Sequence, residues 1–143
     1  MIRRFEGKTP RIAPSAFVSE AAYVVGDVEI GEGSGVWPGA VIRGDFDAIR
    51  IGRNTMVEDN TVVHAGGAME IGDGVIIGHN VVVHCRRIGN NCLIGGFSVI
   101  MPGAVIEDNV TLGLRSVVLK DMHLEQGKFY AGTPAKEIPR TTE

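Results

Sequence analysis

The sequence predicts an all-β protein, a parallel β-helix whose strands repeat every six residues. Three observations predict it. Apolar, mostly β-branched residues recur at a fixed period of six. A glycine often follows them. The composition is unusually poor in aromatics (6%) and rich in glycine (20 residues), so Val and Ile must fill the core. Neither a helical period near 3.6 nor simple alternation produces this pattern. A coiled stack of short strands does, with three six-residue faces closing each turn of a triangular prism.

In chain order, the segment from Phe5 to Ala16, with Pro10 and Pro14, is expected to lie as an extended arm on the first coil. The repeat then runs through Val18, Val24, Ile30, Val36 and Ile42 without a break. Three extra residues precede Ile51, Val57 and Val63, and two more precede Ile71, Ile77 and Val83. One residue is dropped before Ile88, Ile94, Ile100, Ile106, Leu112 and Val118. These seventeen inward positions predict about 5–6 coils spaced about 4.8 Å apart. The following glycines, such as Gly31, Gly52 and Gly78, are expected to relieve crowding near the corners. The segment from Lys120 to Glu143 is expected to form a loop and a capping tail, because a solenoid must cover its open ends. The expected organisation is one domain over 1–143, with an arm over 1–17, the β-helix over 18–122 and a tail over 123–143.

Counting the repeat in threes assigns residues to faces. Ile42, Val63, Val83 and Ile100 fall on one face, and Val36, Val57, Ile77 and Ile94 on another. Arg43, His64 and His84 each follow a residue of the first set, so they form a column on successive coils. Two imidazoles one coil apart, about 5 Å between backbones, can converge on one ion. His79 stands two residues after Ile77 on the neighbouring face, above Asp59. Six extended residues span at most about 20 Å, so His79 is expected too far round its own prism to join the pair. A second copy of the chain could supply it, and a ring of copies closes most simply as a homotrimer. Two insertions, Gly44-Asp45-Phe46-Asp47-Ala48 and Ala65-Gly66-Gly67-Ala68-Met69, are expected as loops beside the histidine column.

Three neutral imidazoles with an open fourth position suit a hydrating or hydrolytic Zn2+ site, and Fe2+ or Co2+ is compatible with the same ligands. Glu58 and Asp59, with Asp45 behind them, are candidates to orient water or accept its proton. Arg43 is expected to pair with Asp45 or Asp59 across a subunit contact. Cys85 is expected to be a small packed residue and His123 a surface loop residue. A net charge of −3 gives no reason to expect nucleic acid or an anionic membrane as partner. No apolar run approaches the roughly 20 residues of a membrane span, and the N-terminal residues lack the apolar core of a signal peptide, so a cytoplasmic protein is expected.

Arg43-Gly44-Asp45, Asp59-Asn60-Thr61-Val62-Val63-His64, Ile77-Gly78-His79 and Val83-His84 together resemble the gamma-class carbonic anhydrase family. Gly132-Thr133-Pro134-Ala135-Lys136 is similar to a signature near the end of these and other hexapeptide-repeat proteins. The resemblance implies a left-handed parallel β-helix and a homotrimer. It implies a metal held by His64 and His84 of one chain and His79 of the next. The implied activity is reversible hydration of CO2 to bicarbonate by metal-bound hydroxide; the residue reading adds Glu58 as proton acceptor and Arg43, Asp45 and Asp59 as further site residues. The chain departs from the family at Met56 and Glu58, where Asn and Gln are frequent, and at Phe46, which follows the Arg-Gly-Asp. A CoA-linked acyltransferase or thioesterase and a non-catalytic metal-binding trimer are the alternatives. An acyltransferase needs one catalytic histidine rather than three, and no Lys/Arg cluster for CoA phosphates lies beside the column.

Overall fold

Parallel backbone pairing in a strict register builds the whole molecule. A computed structural model describes residues 1–139. On one face, Ile2, Val24, Ile42, Val63, Val83, Ile100 and Val118 stack one above another as paired residues of parallel strands. A second face stacks Ile12, Ile30, Ile51, Ile71, Ile88, Ile106 and Leu124. The third stacks Val18, Val36, Val57, Ile77, Ile94, Leu112 and Tyr130. Each column therefore has seven levels. The prism is an all-β parallel solenoid, with the face assignments expected from the spacing.

The inward residues form one continuous core from Val24 to Tyr130. Val57, Val63, Ile77, Val83 and Ile100 are completely buried. Parallel strands need both their faces covered or their outward groups made tolerant of water, and here only the inward row is fully dry. The corners turn three residues after each core position, where Asn54, Asn60, Asn80, Asn91 and Asn109 adopt left-handed backbone conformations. Asn tolerates that region better than most residues. The glycine directly after the core position serves a different need, which is close approach between coils. A Cβ on Gly31 would lie 2.5 Å from the carbonyl oxygen of Gly52 one coil above.

Three features differ from the sequence expectation. First, the segment expected as an arm contributes strands: Ile2–Arg3 and Arg11–Ile12 both pair in parallel with Tyr23–Ile30. Second, the segment expected as a tail also coils. His123–Leu124 and Phe129–Ala131 continue two faces, and only Lys136–Glu137 turns back antiparallel to close the top edge. His123 is thus an exposed strand residue, 3.0 Å from Glu107, rather than a loop residue. Residues 140–143 of the expected tail lie outside the described residues. Third, Gly44 to Ala48 is not a loop. It runs within one strand, Val41–Ile51, which turns the corner between two faces with a register shift against Tyr23–Ile30. Ala65 to Ala68 does form a loop, while Met69 re-enters the core. Among the described residues, no helix is long and apolar enough to cross a membrane.

Charged side chains fasten the lower coils. Asp27 receives Arg50 at 2.9 Å, Lys8 at 3.2 Å and Arg11 at 3.5 Å. The Arg50 hydrogen bond is the main cause holding the Asp27 carboxyl below its ordinary value of 3.8, against a smaller opposing effect of burial. A carboxyl lowered on folding stabilises above its unfolded pKa, and that contribution is lost as pH falls through the folded pKa. Urea unfolding of Asp27→Asn at neutral pH should therefore show a lower midpoint than wild type. The gap should close as pH falls below about 4, the ordinary carboxylate range.

Candidate metal centre

His64 ends the strand Val62–His64, and its backbone is in register with Arg43 one coil below. His84 follows Val83, which pairs with Val63, and its N–H donates to the Ile100 carbonyl at 3.0 Å. Both side chains leave the same corner of the prism on successive coils. Their ring centres are 5.5 Å apart with an interplanar angle of 76°. Two imidazoles that bind one ion at about 2.1 Å in a tetrahedral arrangement hold their ring centres about 5 Å apart. The ring spacing is that of two imidazoles sharing an ion.

Asp45 stands beside this pair. Its Oδ2 accepts from Arg43 Nε at 3.0 Å, and its Oδ1 lies 3.3 Å from His64 Nε2. That second contact lacks hydrogen-bond alignment, so Asp45 Oδ1 is buried without a partner, as is His84 Nδ1. Buried polar atoms without partners are rare, and each of these two calls for a partner such as water, an ion or a neighbouring group. Burial raises the Asp45 carboxyl, but the Arg43 hydrogen bond and charge outweigh it and hold the group below the usual range. Burial, followed by the Arg43 charge, lowers His64 below an ordinary histidine, with Asp45 opposing. A neutral imidazole is the form that ligates metal.

His79 lies at another corner, in the turn that follows Ile76–Ile77. Thr61 fixes this turn from inside, donating to the Gly78 carbonyl at 2.6 Å and accepting from the Val81 N–H at 3.1 Å. Gly78 is required there because a Cβ would lie 2.8 Å from the Gly96 nitrogen. The His79 ring projects outward and is 59% exposed. Its Nδ1 lies 3.3 Å from Glu58 Oε2 and 3.5 Å from Asp59 Oδ1. Among the described residues of one chain, no three His, Cys, Asp or Glu side chains converge as a metal-binding group. Each chain instead presents two separate sets: Arg43, Asp45, His64 and His84 at one corner, and Glu58, Asp59 and His79 at another.

The fold recurs in known proteins. The bacterial transferase hexapeptide (six repeats) family matches residues 87–120. A carbonic anhydrase of Geobacillus kaustophilus is 37% identical, over 100% of this chain and 80% of that protein. The chain belongs to the gamma carbonic anhydrase family. A mitochondrial gamma carbonic anhydrase 2 of Arabidopsis thaliana is 33% identical over 95% of the chain, which spans only 52% of that longer relative. The crystal structure of a hexapeptide transferase family protein from Anaplasma phagocytophilum superposes with a TM-score of 0.94 at 38% identity, covering 99% of this chain and 85% of that one. The prism is the left-handed β-helix of these hexapeptide-repeat proteins.

The structure adds two placements within one chain. Arg43 pairs with Asp45 within its own chain. Both lie in the strand Val41–Ile51, where residues two apart point to the same side. Glu58 and Asp59 stand beside His79, with Asp59 on the coil below it as the spacing predicts. Sequence spacing did not reveal the contact of Asp45 with His64, because the inserted residues alter the strand direction at the corner. It also did not single out Phe97 and Leu114. These stand on the two coils above His79 at the same corner and are 63% and 69% exposed. Phe97 adopts a left-handed conformation (φ 62°), unusual for a bulky side chain.

Cys85, adjacent to His84, faces the core. Burial pushes its thiol up to about 12, and burial also raises Cys92. Thiolate is the reactive form, so a thiol reagent at pH 8 should label neither cysteine in the folded protein and both after unfolding. Mass spectrometry of native and denatured samples checks this.

Proposed function

We propose that the chain is a metal-dependent, carbonic anhydrase-like enzyme that reversibly hydrates CO2 at sites shared between copies in a homotrimer. Each site takes His64 and His84 from one chain and His79 from the next, around Zn2+, with Fe2+ or Co2+ as compatible alternatives. The observation that carries this reading is the division of the histidines into a converging pair and a lone outward imidazole backed by two carboxylates. The exposed Phe97 and Leu114 beside His79 support burial of that corner by another copy. A contact that joins one corner to a different corner is heterologous and closes into a ring when repeated.

When bound, the ion supplies the Lewis acidity that lets water act as a nucleophile near neutral pH. The chain's own residues do the rest. Asp45, held by Arg43, stands against His64 and restricts its ring. A carboxylate that accepts from Nδ1–H fixes the tautomer whose Nε2 lone pair points away, and Glu58 and Asp59 are placed to do this for His79. Glu58 keeps a second oxygen free of that contact. It takes up the proton released when water and CO2 become bicarbonate and passes it to buffer. A CoA-linked transferase on the same scaffold is the competing reading, favoured by the transferase descriptions of the matching repeat family and of the Anaplasma structure.

The test is metal content, native mass and CO2 hydration of wild type beside His79→Ala. Near one metal per chain in a trimer is expected, with the metal lost in the variant and hydration reduced by about a hundredfold or more, the scale of a lost catalytic contact. A wild-type trimer that takes up none of Zn2+, Co2+ or Fe2+ would sink the three-histidine reading. Turnover of acetyl-CoA with an acceptor, in the absence of CO2 hydration, would establish the transferase in its place.

A further inference from the structure

Beside His84 opens a cleft of about 700 Å3, lined by the loop Ala65–Gly66–Gly67–Ala68, by His84, Cys85 and Arg86, and by Pro102 and Gly103 of the next coil. Its size falls in the range of about 300–1,000 Å3 that holds drug-sized ligands. A water molecule takes only about 30 Å3, and CO2 has three heavy atoms, so the proposed reaction accounts for a small fraction of this space.

The loop glycines point the same way. Elsewhere in the solenoid, glycine answers a backbone need. At Gly66 and Gly67 neither φ is in the left-handed region, and a Cβ would meet nothing within 4 Å. The fold does not demand glycine there, and what the missing side chains leave behind is the cleft itself. Its walls are apolar at Ala65, Ala68 and Pro102. The polar side chains of its lining are those of His84 and Arg86, with the Cys85 thiol. The Arg86 guanidinium makes no salt bridge among the described residues, while its backbone N–H donates to the Ala104 carbonyl at 3.0 Å.

We propose that this cleft is an acyl-binding subsite of the histidine centre. It takes a monocarboxylic acyl compound with the carbonyl end at His84 and Arg86 and the apolar chain along Ala65 to Ala68. A guanidinium beside an imidazole suits a carboxylate or a polarised carbonyl, and the apolar walls suit the chain. For a carboxylic ester, water adds to the carbonyl carbon and the bond from that carbon to the alkoxy oxygen breaks. The alcohol leaves with one proton of the water. The acid leaves as carboxylate, and the remaining proton goes to buffer. This reaction rests on the histidine centre proposed above, whereas binding in the cleft does not.

The experiment titrates the full-length protein with acetate, butyrate, hexanoate and octanoate, following backbone amide signals by NMR. It compares wild type, Gly67→Leu and Arg86→Gln. Hydrolysis of the matching p-nitrophenyl esters, CO2 hydration and metal content are measured on the same samples, with thermal melting to verify folding. Affinity should rise about fourfold for each methylene buried, with shifts at Ala65 to Ala68 and His84. Gly67→Leu should abolish the chain-length dependence while leaving metal content and CO2 hydration within twofold. Arg86→Gln should weaken every carboxylate about tenfold, the size of a lost charge-assisted hydrogen bond. Chain-length-dependent binding without CO2 hydration would uphold the cleft and reject the carbonic anhydrase reading. CO2 hydration with binding independent of chain length, or a Gly67→Leu variant that binds octanoate as wild type does, would overturn the subsite.

Discussion

In-register pairing of parallel strands between coils is the interaction on which everything else depends. Each residue of a face lies over its counterpart one coil down, as Val83 does over Val63 and Ile77 over Val57. The pairing buries one side chain per strand and leaves its neighbours pointing outward. A slip of one residue would exchange them. His64 would then turn into the core and Val63 into water. The functional groups therefore owe their position less to their own contacts than to the apolar ladder beneath them.

The same ladder explains how the corners carry chemistry. A corner must turn within three residues, so the chain there is held by Asn in the left-handed region, by close-approach glycines and by buried hydroxyls such as Thr61. Side chains on such turns are fixed in direction yet remain exposed, the combination a ligand at a subunit contact needs. His79 has its two carboxylates at hand on the coil below, while His64 and His84 have Asp45 and Arg43. The molecule thus separates a donor pair from a donor singlet, with carboxylates serving each.

Much of this was legible in the sequence because the period of six is simple and the core positions are nearly all β-branched. The face assignments and the stacking of Arg43, His64 and His84 followed from counting alone. The ends were less legible, although Ile12 lies six before Val18, and Leu124 and Tyr130 continue the same spacing after Val118. Pro14 masked the first, and an aromatic in an aliphatic column masked the last. The insertion at Gly44 was also misjudged. Extra residues suggest a loop, but the backbone absorbs these as a bulged strand around the corner, which brings Asp45 against His64. No periodicity encodes that contact. Phe97 was hidden for a related reason, since it occupies a turn position where Asn60 and Asn80 stand in the two coils below.

The central claim is that one working site takes residues from two chains. Complementation tests it most directly. His79→Ala and His84→Ala chains, each expected to be inactive alone, are co-expressed with different tags, and the mixed trimers are isolated. In a mixed ring, at least one contact joins an intact His64–His84 pair to an intact His79. The account predicts that mixed trimers regain bound metal and CO2 hydration at about one site in three. Mixed trimers as empty and inactive as the two parents would contradict it, as would either parent retaining a full complement of metal.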